Sequence, residues 1–260
     1  MANWTRLAVA GKGLVGLAVM IAIWEALRGL GVLPVDTVPS TWQIVAAAAA
    51  GLAGGPLLPA LGHTMEAWAL GMLLAGVIGI PVGILIGLSA WAHAATREVI
   101  DFIRPIPSVA LVPVALVFLG FALKMEVVLI VLGAVWPLVF NARFGVQNTD
   151  PMLIDSSRAV GLRPLGILFR VRLVDALPSI LTGFRTSAAI ALTLAVSAEA
   201  LAVPAGLGNV ISQSATTGNT TDAYAAIVIT GLVGVVLNVG AGAAQRSLSR
   251  WNYPALGEAA

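Results

Sequence analysis

The chain has 260 residues, of which 59% are hydrophobic and only 10% charged, against roughly a quarter charged in ordinary soluble domains. So little polar surface excludes a water-soluble globule of this size and selects a bilayer, whose core takes about 20 apolar residues per helix, so the length allows roughly six crossings. The lack of cysteine excludes disulfides, thiolate metal sites and cysteine nucleophiles, and a net charge of +2 gives no basis for nucleic-acid binding.

The first apolar run, 13–33, follows Arg6 and Lys12 like a secretory signal, but it is too long and lacks a small-residue cleavage site, so it reads as an uncleaved span. Glu25 and Arg28 are spaced to pair near its far end. After Pro34, Ser40 and Gln43 form a capping-box pattern ahead of a helix too short to cross, expected on the outer surface. The second span, 68–88, carries Gly79, Gly83 and Gly87 at four-residue intervals, a ridge that lets another helix backbone approach closely. A charged connection with His93, Arg97, Glu98, Asp101 and Arg104 leads to the third span, 106–123, and the fourth, 127–142. Pro107, Pro113 and Pro137 lie in or beside them, so neighbouring groups must replace lost backbone hydrogen bonds.

The longest polar connection, 143–183, precedes the fifth span, 184–203, and the sixth, 223–244. Six spans put both termini, the second-to-third and the fourth-to-fifth connections on one side. That side holds twelve of the fourteen basic residues, all but Arg28 and Lys124, which makes it cytoplasmic. Within 150–185 the pattern is two short helices meeting at Gly161, with Pro164 opening the second. Leu165, Leu168, Phe169 and Arg172 share a face of that second helix. Pattern alone fits two readings equally: docking to another protein, or lying on the membrane surface with arginines toward lipid headgroups.

Isolated polar groups give further candidates. Glu199, in ALTLAVSAEALAV, falls ~22 Å along a helix counted from Phe184. As an intramembrane carboxylate it is either a pathway residue or a cap for the loop PAGLGN. Ser197 and Asn238 are weaker pathway candidates. His63 and His93 are isolated from each other and no full ligand cluster surrounds either in sequence, so no metal site is read. No serine, histidine and carboxylate grouping suggests an enzyme, and no phosphate-binding lysine loop is present.

The segment 150–185 resembles the Glu-Ala-Ala loop of binding-protein-dependent ABC importer permeases. Asp155, Ser156 and Ser157 stand at the Glu-Ala-Ala positions, Gly161 at the glycine, and Val171, Leu173 and Val174 at the Ile-x-Leu-Pro end. Pro178, Gly183 and Arg185, with GIPVGILIGLS, FIRPIPSVALVPVALVFLGF and AEALAVPAGLGNVI, resemble the nitrate, sulfonate and taurine branch. The resemblance implies a single all-α permease domain of the type I importer kind, with about six spans and cytoplasmic coupling helices, in a bacterial inner membrane. It implies no catalytic residue and no cofactor in this chain, with ATP and magnesium held by a separate ABC ATPase dimer. It further implies a periplasmic or lipid-tethered binding protein and a second permease copy, and the glycine ridge suggests that this copy is identical. Asp155, Ser156, Ser157, Gly161, Leu165, Leu168, Phe169 and Arg172 would couple to the ATPase. The alternative, an ion-coupled secondary transporter, predicts internal repeats and midplane carboxylates.

Overall fold

A computed structural model describes residues 2–34, 36–103 and 105–249. Arg104, Arg250 and the side chains of Arg6 and Lys12, used in the charge asymmetry, lie outside the described residues. The chain forms two compact units, one gathering the chain up to Leu58 with Val210–Ile229, the other Pro59–Asn209 with the chain from Thr230 onward.

In the first unit, α1 (Ala2–Gly29) begins earlier than the expected span and ends where Gly31, at φ +70°, turns the chain back. Glu25 and Arg28, spaced to pair, each also bond to the backbone. Glu25 Oε1 accepts the Thr41 N–H at 2.6 Å and Arg28 Nε donates to the Val38 carbonyl at 2.9 Å. Both bonds satisfy groups that lie beyond the reach of helical hydrogen bonding. α2 (Thr41–Ala53) opens with the expected capping box, Ser40 and Gln43 each accepting the other's backbone N–H. Trp24 meets Tyr224 edge to face, with centroids 5.7 Å apart.

Several helices exceed the expected spans. α3 (Leu57–Leu88) starts well before Trp68, because the polar residues His63, Thr64 and Glu66 sit inside a helix rather than in a connection. The charged stretch after it is also helical, α4 (Ala90–Ile103), with Ser89 Oγ accepting the Ala92 N–H. The expected third span is broken: a 3₁₀ turn (Ser108–Leu111) follows Pro107, then α5 (Val112–Leu119) with Pro113 in its first turn. Eight residues reach about 12 Å, too short to cross alone. α6 (Leu123–Gln147) contains Pro137; α7 (Pro151–Ala159) follows. From Pro164 one helical run of 38 residues extends to Leu201, composed of α8 (Pro164–Ile167), a π turn (Leu168–Arg172) and α9 (Leu173–Leu201). α10 (Gly206–Thr216) and α11 (Thr220–Leu248) complete the chain. Among the described residues four helical segments are long and apolar enough to cross a membrane, or five if α4 and the broken 108–119 segment count as one, against six expected.

The second unit is built on α6. The ridge of α3 lies on it backbone to backbone: a Cβ at Gly79 would sit 3.0 Å from the Val135 carbonyl oxygen, at Gly83 it would collide with that of Val139, and at Gly87 it would sit 2.9 Å from that of Arg143. Both helices contribute at four-residue intervals, so the contact runs for two full turns. On its other face α6 packs against α9, with Ala134 and Leu138 against Ala188, Ala191 and Ala195. Ser187 Oγ donates to the Ala134 carbonyl at 2.6 Å, and Trp68 Nε1 to the Ala188 carbonyl at 3.0 Å. Because the ridge is occupied within the chain, it no longer argues for a second identical copy.

Gly83→Ala should lower stability by about 1–3 kcal/mol through overpacking against backbone that cannot yield. Gly76→Ala, whose Cβ would meet nothing within 4 Å, should leave the melting temperature in detergent unchanged or slightly raised. Equal effects of the two substitutions would contradict the proposed packing.

Candidate functional site

Two regions collect the residues that sequence reasoning singled out. The first is the hinge after α6. Asp150 caps α7, its Oδ1 accepting the Met152 N–H at 2.8 Å, and Pro151 occupies the first turn. The helix closes at Gly161, φ +81°, whose N–H bonds to the Arg158 carbonyl at 2.9 Å while the Leu162 N–H bonds to that of Ser157 at 3.1 Å. This double closure is a Schellman motif, and a left-handed φ at that position is what favours glycine. Nothing lies within 4 Å of where a Cβ would stand, so the demand there is conformational and not steric.

The expected shared face of the second helix divides. Leu165 and Phe169 are exposed, whereas Leu168 and Arg172 are half-buried, and the fully covered residue is Ile167, which the periodicity did not select. Leu165, Leu168 and Arg172 line a groove of about 290 Å³ with Ile154, Arg158 and Leu88. Asp155 and Arg158 pair at 3.3 Å in solvent, an interaction of little energetic weight. Ser156 is exposed, and Ser157 Oγ donates to the Leu153 carbonyl. The hinge thus presents Met152, Val160, Leu165 and Phe169 as apolar side chains without cover in a segment rich in charge.

The second region is the far end of α9. Glu199 is buried and its Oε2 accepts the Gly208 N–H at 2.9 Å, while Thr64 Oγ1 accepts the Leu207 N–H at 3.0 Å. Glu199 therefore anchors the loop PAGLGN. Gly206, at φ +89°, leaves the space its carboxylate fills, since a Cβ there would collide with it, while a Cβ on Gly208 would collide with the Val196 carbonyl. Glu126 and His63 lie beside it, a grouping that no local spacing announces. His93, by contrast, bonds through Nδ1 to Arg143 Nη1 at 3.2 Å.

Of the remaining pathway candidates, Ser197 is half-buried on α9, and Asn238 is exposed and accepts Arg185 Nε at 2.6 Å through Oδ1. Arg185, counted among the basic residues of the cytoplasmic side, lies within α9, about 18 Å along the axis from Leu173. With Asn238, Thr193 and Thr230 it lines a cavity of about 500 Å³ between α9 and α11.

Long apolar helices joined by a glycine-closed pair of short helices fit an integral membrane transport subunit. The chain belongs to the family of binding-protein-dependent transport system inner membrane components, whose pattern matches residues 79–252. It is 31% identical, over 92% of its length and 87% of the other's, to the putative aliphatic sulfonates transport permease protein SsuC of Bacillus subtilis. It is 27% identical to the taurine transport system permease protein TauC of Escherichia coli, over 91% of this chain and 88% of that one. In fold it is similar to a chain of the inward-facing MetNI methionine ABC transporter, with a TM-score of 0.67 at 21% identity, covering 75% of this chain and 97% of that one. The protein is thus an inner-membrane transport subunit of an ABC importer and not an enzyme. Nothing in these relationships favours the ion-coupled alternative.

Thr64→Val should leave the Leu207 N–H buried without a partner, a loss of about 1–3 kcal/mol. Hydrogen exchange at residues 206–208 should accelerate while that of α6 stays unchanged; unchanged exchange at 206–208 would contradict the anchoring role.

Proposed function

We propose that this permease subunit imports a small oxyanion of the sulfonate, taurine or nitrate kind, delivered by an extracytoplasmic binding protein and driven by a separate ATPase dimer gripping the hinge after α6. The observation that carries this reading is mechanical. The uncovered apolar side chains Leu165 and Phe169 stand on a helical run that continues without interruption into α9, so a partner holding them holds a whole crossing. Packed helices shift as units instead of deforming, which makes such a run a lever. The glycine-terminated α7 fixes the angle at which it enters the partner, and Asp155, Ser156, Ser157 and Arg172 form its polar border.

In the pathway, Arg185 supplies the charge an oxyanion needs, held in orientation by Asn238 and bordered by the hydroxyls of Thr193 and Thr230. A guanidinium recognises a planar or tetrahedral oxyanion with paired N–H donors. The excess of basic residues at the hinge and near both ends of the chain supports cytoplasmic termini. Pairing with a second permease copy, the same or another, follows from the importer architecture and not from the α3 ridge.

Leu165→Ala with Phe169→Ala should abolish co-purification of the ATPase and reduce uptake at least about tenfold, while the permease remains folded. Retained co-purification would remove the docking role. Gly161→Val, which strains a left-handed backbone by about 1–2 kcal/mol, should lower coupled uptake more than permease yield. For the pathway, Arg185→Gln should depress anion uptake at least tenfold with ATPase binding intact, and Arg185→Lys should recover only part, on the order of the difference between a fork and a point charge. Full transport by Arg185→Gln would exclude the cavity as the anion route.

A further inference from the structure

The buried grouping at the end of α9 has a chemistry of its own. His63 of α3, Glu126 in the first turn of α6 and Glu199 in the last turn of α9 bring one ligand atom each to within 4.8 Å of one another. The separations His63 Nδ1 to Glu126 Oε1, 3.9 Å, and to Glu199 Oε1, 3.7 Å, are too long for direct hydrogen bonds. They are a few tenths of an ångström above the roughly 3.4 Å between neighbouring ligands of a tetrahedral zinc ion with bonds near 2.1 Å.

The two carboxylates have almost no solvent contact, with side chains 0% exposed, and the imidazole is 24% exposed. Both oxygens of Glu126, Glu199 Oε1 and His63 Nδ1 have no hydrogen-bond partner. Such a concentration of orphaned buried polar atoms around one point is rare in a folded chain. When ionised, the two carboxylates offer three oxygens that only accept, beside one imidazole nitrogen. A cation held by one oxygen of each carboxylate and by the imidazole would satisfy these groups together. Among the described residues no lysine or arginine forms an ion pair with either carboxylate.

We propose that His63, Glu126 and Glu199 form a binding site for a divalent transition ion of the zinc class, clamping the ends of α3, α6 and α9. One nitrogen with two carboxylate oxygens, in a set of three protein ligands, suits zinc-class ions better than calcium or magnesium, which take six or more oxygens or retain several waters. The open cleft of about 490 Å³ that Glu199 lines with Phe121, Pro204 and Asn209 gives the ion an entry. Because Glu199 Oε2 stays on the Gly208 N–H, the ion takes the free Oε1 and fixes the 202–209 loop through the same carboxylate.

The full-length chain, purified in detergent and stripped with a chelator, is dialysed against Zn²⁺ alone or Ca²⁺ alone, and bound metal is measured by elemental analysis. Zinc should be retained at about one ion per chain with a raised melting temperature, and Ca²⁺ should not. Glu126→Gln and His63→Gln should each weaken zinc binding at least about tenfold and cancel the thermal shift, whereas His93→Gln should do neither. If Glu126→Gln does not fold, His63→Gln decides alone, since that ring is partly exposed and its Nδ1 has no hydrogen-bond partner to lose. Substoichiometric zinc in the parent chain, equal binding by His63→Gln, or preference for Ca²⁺ would overturn the site. Stabilisation by Glu126→Gln without any metal would assign the pair to a shared proton instead.

Discussion

Everything in the second unit depends on how closely two backbones approach α6. In lipid, apolar side chains gain nothing by leaving one hydrocarbon environment for another, so helices associate through close contact and a few polar bonds. α3 reaches α6 by presenting Gly79, Gly83 and Gly87 to the carbonyls of Val135, Val139 and Arg143. α9 reaches it through Gly183 against the Pro137 carbonyl and through Ala176 against Gly145. The hydrogen bonds Ser187 to Ala134 and Ser179 to Asn141 then fix the register of α9 along α6. Without these contacts neither end of α9 would have a defined place.

The two ends do different work. At one, α9 continues through the π turn into α8 and the hinge, so the side chains available to a partner belong to the same helical run that packs on α6. At the other, Glu199 holds a loop in which Gly206 leaves room for its carboxylate and Gly208 lets the chain lie close to the Val196 carbonyl. A π turn widens the helix by one residue and is common where a helix must change the face it presents. Here it contains the exposed Phe169 and separates Leu165 from the buried residues Ala176 and Ile180.

What the sequence made legible was local. The capping box at Ser40, the four-residue glycine period and the glycine-terminated helix before Pro164 each depend on a few adjacent residues, and each appears in the structure. Helix limits were misread wherever polar residues lay inside a helix, as in 57–67 and 90–103, because polarity resembles a loop when the burial of neighbouring faces is unknown. The break in the third span was signalled only by Pro107 and Pro113, which are equally compatible with a kinked crossing. Glu199 was visible as an intramembrane carboxylate, and its capping role was one of two open readings. Its neighbours were not visible, since His63 and Glu126 arrive from distant parts of the chain and are brought together only by the packing of α3 and α9 on α6.

That packing also places Glu199, with Glu126 of α6 beside it, and Arg185 about 21 Å apart along the axis of α9. At an effective dielectric near 20, each unneutralised carboxylate would oppose an anion at Arg185 by about 0.8 kcal/mol, and two would oppose it by about 1.6, or more than tenfold in occupancy. A divalent ion between Glu126 and Glu199 cancels this opposing field at its source without adding a positive centre to compete with Arg185. The acidic end of α9 can then anchor a loop while the middle of the same helix attracts an anion, two demands that bare charges would set against each other.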